Sequence, residues 1–282
     1  MGAELAWRGK LKSLSVEKAA QVSVGDGEGI DYLSPEPEDD WRDMKVMHSK
    51  HFRIFWVKEL PASFTEKAAR GTLRNFEEAW QFLVKGMKLK KPYPIEGEPG
   101  RYRKVNIATH VSGYQSGGGT VAMDPSGLRV DPPSWVIPHE LMHTFQEVQG
   151  GKMAGMWCES HADYAIERWL RFVRPLFDGT DEVAAGEPTC FNPSFATMAH
   201  WYLAHGRDYY LCWPIWAYLD ENPDALPGLG GGAFSSRLWQ EIREEEDIFT
   251  AIKRLTQVDV PTLIGHYARR NVTWSYANGE AM

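Results

Sequence analysis

The five residues His139-Glu140-Leu141-Met142-His143 constrain this chain more than any other stretch. Histidines four apart on a helix point from one face, one turn above the other, so both imidazoles reach a single metal ion. Glu140 follows the first of them and leans toward the same ion's open position, where it would handle protons rather than metal, as in a catalytic zinc site. Chance places such a pentapeptide in a chain of this length on the order of once in a hundred, so its flanks carry weight. Pro132 and Pro133 close the preceding segment, Pro138 fits a helix's first turn, and Gly150-Gly151 stops the helix beyond both histidines.

A second amphipathic helix is predicted over 156–170, on which Glu159 and Asp163 share a face. Zinc requires a third protein ligand, and a ligating imidazole usually donates its other N–H to a carboxylate. The two acids therefore have two separate jobs open to them.

Taken together, His139-Glu140-x-x-His143 and Glu159-x-x-x-Asp163 resemble the gluzincin pattern of zinc metallopeptidases. The resemblance implies one Zn2+ held by His139, His143 and Glu159, with Glu140 as general base and acid and Asp163 supporting a ligand histidine. It also implies an edge strand bordering the cleft within residues 117–130, and a Tyr or His from the downstream region that stabilises charge on the substrate oxygen. His200, Tyr202, His205, Tyr209 and Tyr210 are available there, and Tyr209 and Tyr210 are preferred.

The rest of the chain fits an α+β, gluzincin-like fold. Residues 1–45 mix charge, Gly and Pro and read as an extended lead-in. Residues 46–150 form the sheet-containing half: a strand over 51–57, a helix capped by Ser63 and Glu66 that carries Leu73, Phe76, Trp80 and Leu83, then a strand around 105–109. His48 and His51 read as surface or core histidines rather than ligands. Gly117-Gly118-Gly119 lacks the Lys-Ser/Thr of a phosphate loop and reads as a flexible turn or lid, followed by short strands at 121–124 and 128–130. The zinc helix stands at the seam, and 151–282 is helical, ending in three short helices over 236–242, 248–255 and 261–270, with Asp247 capping the second. The two halves make one catalytic unit.

Composition removes several functions. Acidic residues outnumber basic ones 38 to 31 with no basic block, which argues against nucleic acid as a partner. No run approaches the roughly 18 apolar residues of a membrane span, and Met1–Lys12 lacks the apolar core of a signal peptide, so a cytoplasmic protein is expected. Three scattered cysteines, Cys158, Cys190 and Cys212, build neither a disulfide framework nor a thiolate metal site. The 12 Trp and 11 Tyr serve a core by default, or line a pocket for a flat ligand.

An ion with three protein ligands keeps one position open for activating water or polarising a carbonyl. Two substrate classes fit. The signal-less chain, Trp157-Cys158-Glu159-Ser160-His161-Ala162-Asp163-Tyr164 and the many aromatics resemble the cyclopenase type of pseudo-gluzincin from fungal quinolone alkaloid biosynthesis. That resemblance implies a secondary-metabolism enzyme contracting the ring of cyclopenin, a small amide- and epoxide-containing molecule, to viridicatin. It ranks ahead of the alternative, a metallopeptidase hydrolysing peptide bonds.

Overall fold

A computed structural model of the chain describes residues 31–33, 44–56, 65–109, 114–125, 128, 133–149, 156–173 and 212–273. Its architecture is α+β. Seven strands and seven α-helices are found among the described residues. Most of the lead-in, and the preferred Tyr209 and Tyr210, lie outside them.

The main sheet is built from β2 (Lys45–His48), β3 (Phe52–Trp56), β5 (Val105–Ala108), β6 (Tyr114–Gly117) and β7 (Thr120–Met123), in the order β2-β3-β5-β7-β6. The central three run parallel, with Ile54 opposite Ile107 and Ile107 opposite Val121, while β2 and β6 run antiparallel at the edges. A separate parallel pair joins β1 (Asp31–Leu33) to β4 (Arg101–Arg103). The strand expected over 51–57 is thus β3, preceded by the unexpected β2. The glycine run makes a tight hairpin rather than a lid. Gly118 and Gly119 both take positive φ, 56° and 84°, the conformation a two-residue turn between right-twisted strands demands.

One face of this sheet is apolar because Phe52, Ile54, Val105, Ile107, Val121 and Met123 alternate onto it. Helix α1 (Glu66–Gln81) covers that face with Ala69, Leu73, Phe76, Ala79 and Trp80, all buried at helical spacing. Its N-cap is Thr65, whose hydroxyl accepts from the Ala68 N–H at 3.2 Å, in place of the expected Ser63, which lies outside the described residues. A π-turn, Phe82–Gly86, continues the helix. Glycine is required at its end, because a Cβ on Gly86 would stand 2.8 Å from the Phe82 ring.

Helix α2 (Val136–Gln146) carries the histidine pair and is buried on nearly every side, which is the burial pattern of a central helix. It ends before the expected Gly150-Gly151 stop. Helix α3 (Met156–Val173) packs along it, and α4 (Trp213–Glu221) packs on α3. The Trp216 indole N–H donates to Ser160 Oγ at 2.9 Å. Buried Asp220 gathers α3, α4 and the start of α5 (Phe234–Glu241): it accepts from Tyr164 Oη at 3.0 Å, Arg168 Nη1 at 3.2 Å and the Ser235 N–H at 2.7 Å. Two more helices follow, α6 (Ile248–Thr256) and α7 (Val260–Thr273). Asp247 caps α6 as expected, accepting from the Phe249 and Thr250 N–H groups.

No helix among the described residues is long and apolar enough to cross a membrane.

Candidate metal centre

His139 and His143 lie on one face of α2, as their spacing requires, and Glu159 reaches the same point from the first turn of α3. His139 Nε2 stands 3.2 Å from Glu159 Oε2 and 3.3 Å from His143 Nε2, and His143 Nε2 stands 3.4 Å from Glu159 Oε2. The three atoms form a nearly equilateral triangle. Around a tetrahedral ion with bonds of about 2.05 Å, any two ligand atoms are separated by about 3.3 Å. Of the described residues, this is the one His/Cys/Asp/Glu group placed to hold a metal ion.

The hydrogen bonds behind the triangle explain why its corners are donors of electrons rather than protons. His139 Nδ1 meets Asp163 Oδ1 at 2.9 Å, and His143 Nδ1 meets Gln146 Oε1 at 2.8 Å. Both acceptors draw the imidazole proton to Nδ1, leaving both Nε2 lone pairs facing the Glu159 carboxylate. Three lone-pair atoms pressed together repel one another unless something positive lies between them. A proton added to His139 Nε2 can bond one of the two facing atoms, not both; a metal ion satisfies all three.

The electrostatics agree. Burial works against charge on His139, but the Asp163 and Glu159 acceptors outweigh it and push its pKa up to about 10 in the metal-free protein. Burial likewise opposes ionisation of Glu159, yet the two facing imidazoles hold its carboxyl well below the usual carboxylate range. The site thus stabilises one added positive charge even before an ion is considered.

Glu140 is buried beside these donors. Burial raises its pKa, with the two imidazoles and the nearby Ser116 hydroxyl opposing the rise. Ser116 belongs to β6, and its buried hydroxyl has no hydrogen bond of good geometry among the described residues. Strand β6 lies alongside α2, so among the described residues it is the edge strand bordering the site. The expectation of an edge strand within 117–130 is corrected: the edge is Tyr114–Gly117, and Thr120–Met123 is its inner hairpin partner.

The hairpin is clamped to the end of α2. Glu147, one turn beyond His143, accepts from the Gly118 N–H at 3.1 Å and from Tyr93 Oη at 2.5 Å, and Tyr93 Oη accepts from the Gly119 N–H at 2.9 Å. Gln146, Ser116, Tyr93 and Glu147 were all missed in the sequence. For Gln146 the one available signal was its position three residues beyond His143.

The other histidines among the described residues stay out of the centre. His51 is buried, bonds Glu77 and stacks on Trp80 with ring centroids 4.4 Å apart, as a core histidine does, and His48 is exposed on β2. His161 lies between Glu159 and Asp163 in sequence but points away from them, stacked among Trp216, Trp239 and Tyr164. Burial pushes its pKa down to about 3. Trp135 is half-buried, its ring edge-on to His139 at 6.1 Å between centroids.

The chain belongs to DUF6055, a family of unknown function, whose family model matches residues 15–282. No curated protein and no solved structure matches it.

Proposed function

We propose that this DUF6055 protein is a mononuclear zinc enzyme in which Glu140 acts as general base and then general acid. The observation that carries the proposal is the triangle of two Nε2 atoms and one carboxylate oxygen, with edges of 3.2–3.4 Å. Two imidazoles and one carboxylate, with a fourth direction left for substrate, suit zinc; calcium and magnesium call for more oxygen ligands. When bound, the ion would supply a Lewis acid that polarises a carbonyl and lowers the pKa of a water molecule.

The chain's own residues supply the rest. Glu140 takes up a proton on its carboxylate during attack and returns it to the leaving group. Its burial strengthens it as a base, because a raised pKa means a more avid proton acceptor. Asp163 and Gln146 keep the imidazole protons on Nδ1 and so out of the reaction's way.

As substrate, an extended amide-bonded chain is favoured by β6. This strand borders the site and has no strand partner on its outer side among the described residues, so its outward backbone suits pairing with a peptide. A second reading draws on Trp135, whose ring beside His139 suits a flat substrate: the cyclopenase-like ring contraction of a lactam epoxide.

The test begins with metal analysis of protein purified without added metal, expected to give one zinc per chain. The loaded protein is then incubated separately with a mixed peptide pool and with cyclopenin. Glu140→Gln should keep the zinc and lose turnover on whichever substrate reacts. Absence of a stoichiometric transition metal, or full activity in Glu140→Gln, would overturn the proposal.

A further inference from the structure

Gln146 is buried three residues beyond His143 on α2, and its side-chain amide makes two bonds in opposite directions. Its Nε2 donates to the Cys158 carbonyl at 2.9 Å, while its Oε1 faces His143 Nδ1 at 2.8 Å. A backbone carbonyl only accepts, so the amide N–H must face Cys158 and the amide oxygen must face His143. An amide oxygen also only accepts, so the proton of His143 is held on Nδ1 and Nε2 is left bare. Cys158 immediately precedes Glu159, so the same side chain ties the second donor of the triangle to the backbone that presents the third.

Resting on the metal reading above, we infer that Gln146 is a positioning residue: it holds His143 in the metal-ready tautomer and fixes the first turn of α3 at ligand distance. The two imidazoles are thereby held differently. His139 has an anionic partner in Asp163, which makes it the more basic ligand, whereas His143 has a neutral one. A second carboxylate behind His143 would add negative charge to a site already holding Glu159 and Asp163. The amide sets the tautomer without adding it.

Two substitutions separate the jobs. Gln146→Leu removes both bonds, and Gln146→Glu keeps an acceptor for His143 Nδ1 while losing the donor to Cys158. Nitrogen-15 NMR of the metal-free protein reads the His143 tautomer directly, and competition against a chromophoric chelator reads affinity for Zn2+ and Co2+. In Gln146→Leu the His143 proton should redistribute toward Nε2, and metal affinity should fall about 10–100-fold. Gln146→Glu should keep the proton on Nδ1 but, with the bond to the Cys158 carbonyl lost, bind metal more weakly than the parent and more tightly than Gln146→Leu. Should Gln146→Leu not fold, Gln146→Met, of similar length and only weakly accepting, takes its place.

The inference is overturned if the apolar variant keeps the Nδ1–H tautomer and parental affinity. It is equally overturned if the apolar and Glu variants lose metal to the same extent, as loosened packing of α2 on α3 alone would produce. A parent protein that binds neither ion would sink the zinc reading, while the tautomer spectra would still decide the role of Gln146.

Discussion

Metal affinity should rise steeply with pH, because the ion and a proton compete for His139. In the metal-free protein the Asp163 and Glu159 acceptors outweigh burial and push the His139 pKa up to about 10, so over pH 6.5–8.5 an arriving ion should displace one proton from it. Displacing one proton makes the apparent dissociation constant fall tenfold per pH unit, or about 1.36 kcal/mol. Across two pH units the gain is about a hundredfold, or about 2.7 kcal/mol. The metal-free fold should move the other way. His139 is raised above its ordinary 6.5, so its contribution to stability is complete below pH 6.5 and is lost as pH climbs through about 10. Metal-free protein therefore loses up to about 1.4 kcal/mol per pH unit from this group, whereas saturating metal at a hundredfold excess over Kd adds about 2.7 kcal/mol. The gap between thermal transitions with and without zinc should widen as pH rises. Calorimetric titration with zinc in buffers of different ionisation enthalpy should report close to one proton released per ion at pH 7.5. Affinity that is flat over this range with no proton release, or that weakens as pH rises, would refute the argument that Asp163 and Glu159 load His139 with a proton.

Other perturbations test the supports of the site one at a time. Asp163→Ala removes the acceptor 2.9 Å from His139 Nδ1 and should weaken zinc binding about 10–100-fold in the chelator competition, with the fold retained by circular dichroism. Asp220→Ala removes the buried carboxylate that pairs with Arg168 and accepts from Tyr164 and Ser235 where α3, α4 and α5 meet. Urea unfolding should show a loss of about 3–5 kcal/mol. Tyr93→Phe breaks the link between Glu147 and the Gly119 N–H, so amide exchange at Gly118 and Gly119 should accelerate while zinc affinity stays unchanged. The stability cost should be modest, about 0.5–1.5 kcal/mol for each of the two bonds the hydroxyl makes.

The features legible in the sequence are those that a repeat distance dictates. Helical geometry alone brings residues four apart to one face, so His139, His143, Glu159 and Asp163 could be paired off from their numbering, and the structure brings all four together. The apolar stripe of α1 was legible for the same reason. Gln146 escaped because an amide three residues past a histidine is common on helices, and only the carbonyl of Cys158 on another helix fixes which way it points. The glycine run reads equally as a turn or a lid, because two successive positive-φ residues serve a hairpin as well as a mobile loop; what decides for the turn is the Glu147 and Tyr93 clamp, built from residues 29 and 26 positions away. The edge strand, expected within 117–130, lies at 114–117 among the described residues. The shift matters to function: with the turn at Gly118-Gly119, it is the strand of Ser116, more than residues 120–123, that packs against α2, with Ser116 near Glu140. A substrate paired with β6 would therefore be held by a strand whose far end is pinned to the same helix that carries both imidazoles. Substrate register would then depend on the Tyr93–Glu147 clamp, which the metal ligands do not share, so loosening it should disturb register without disturbing metal geometry.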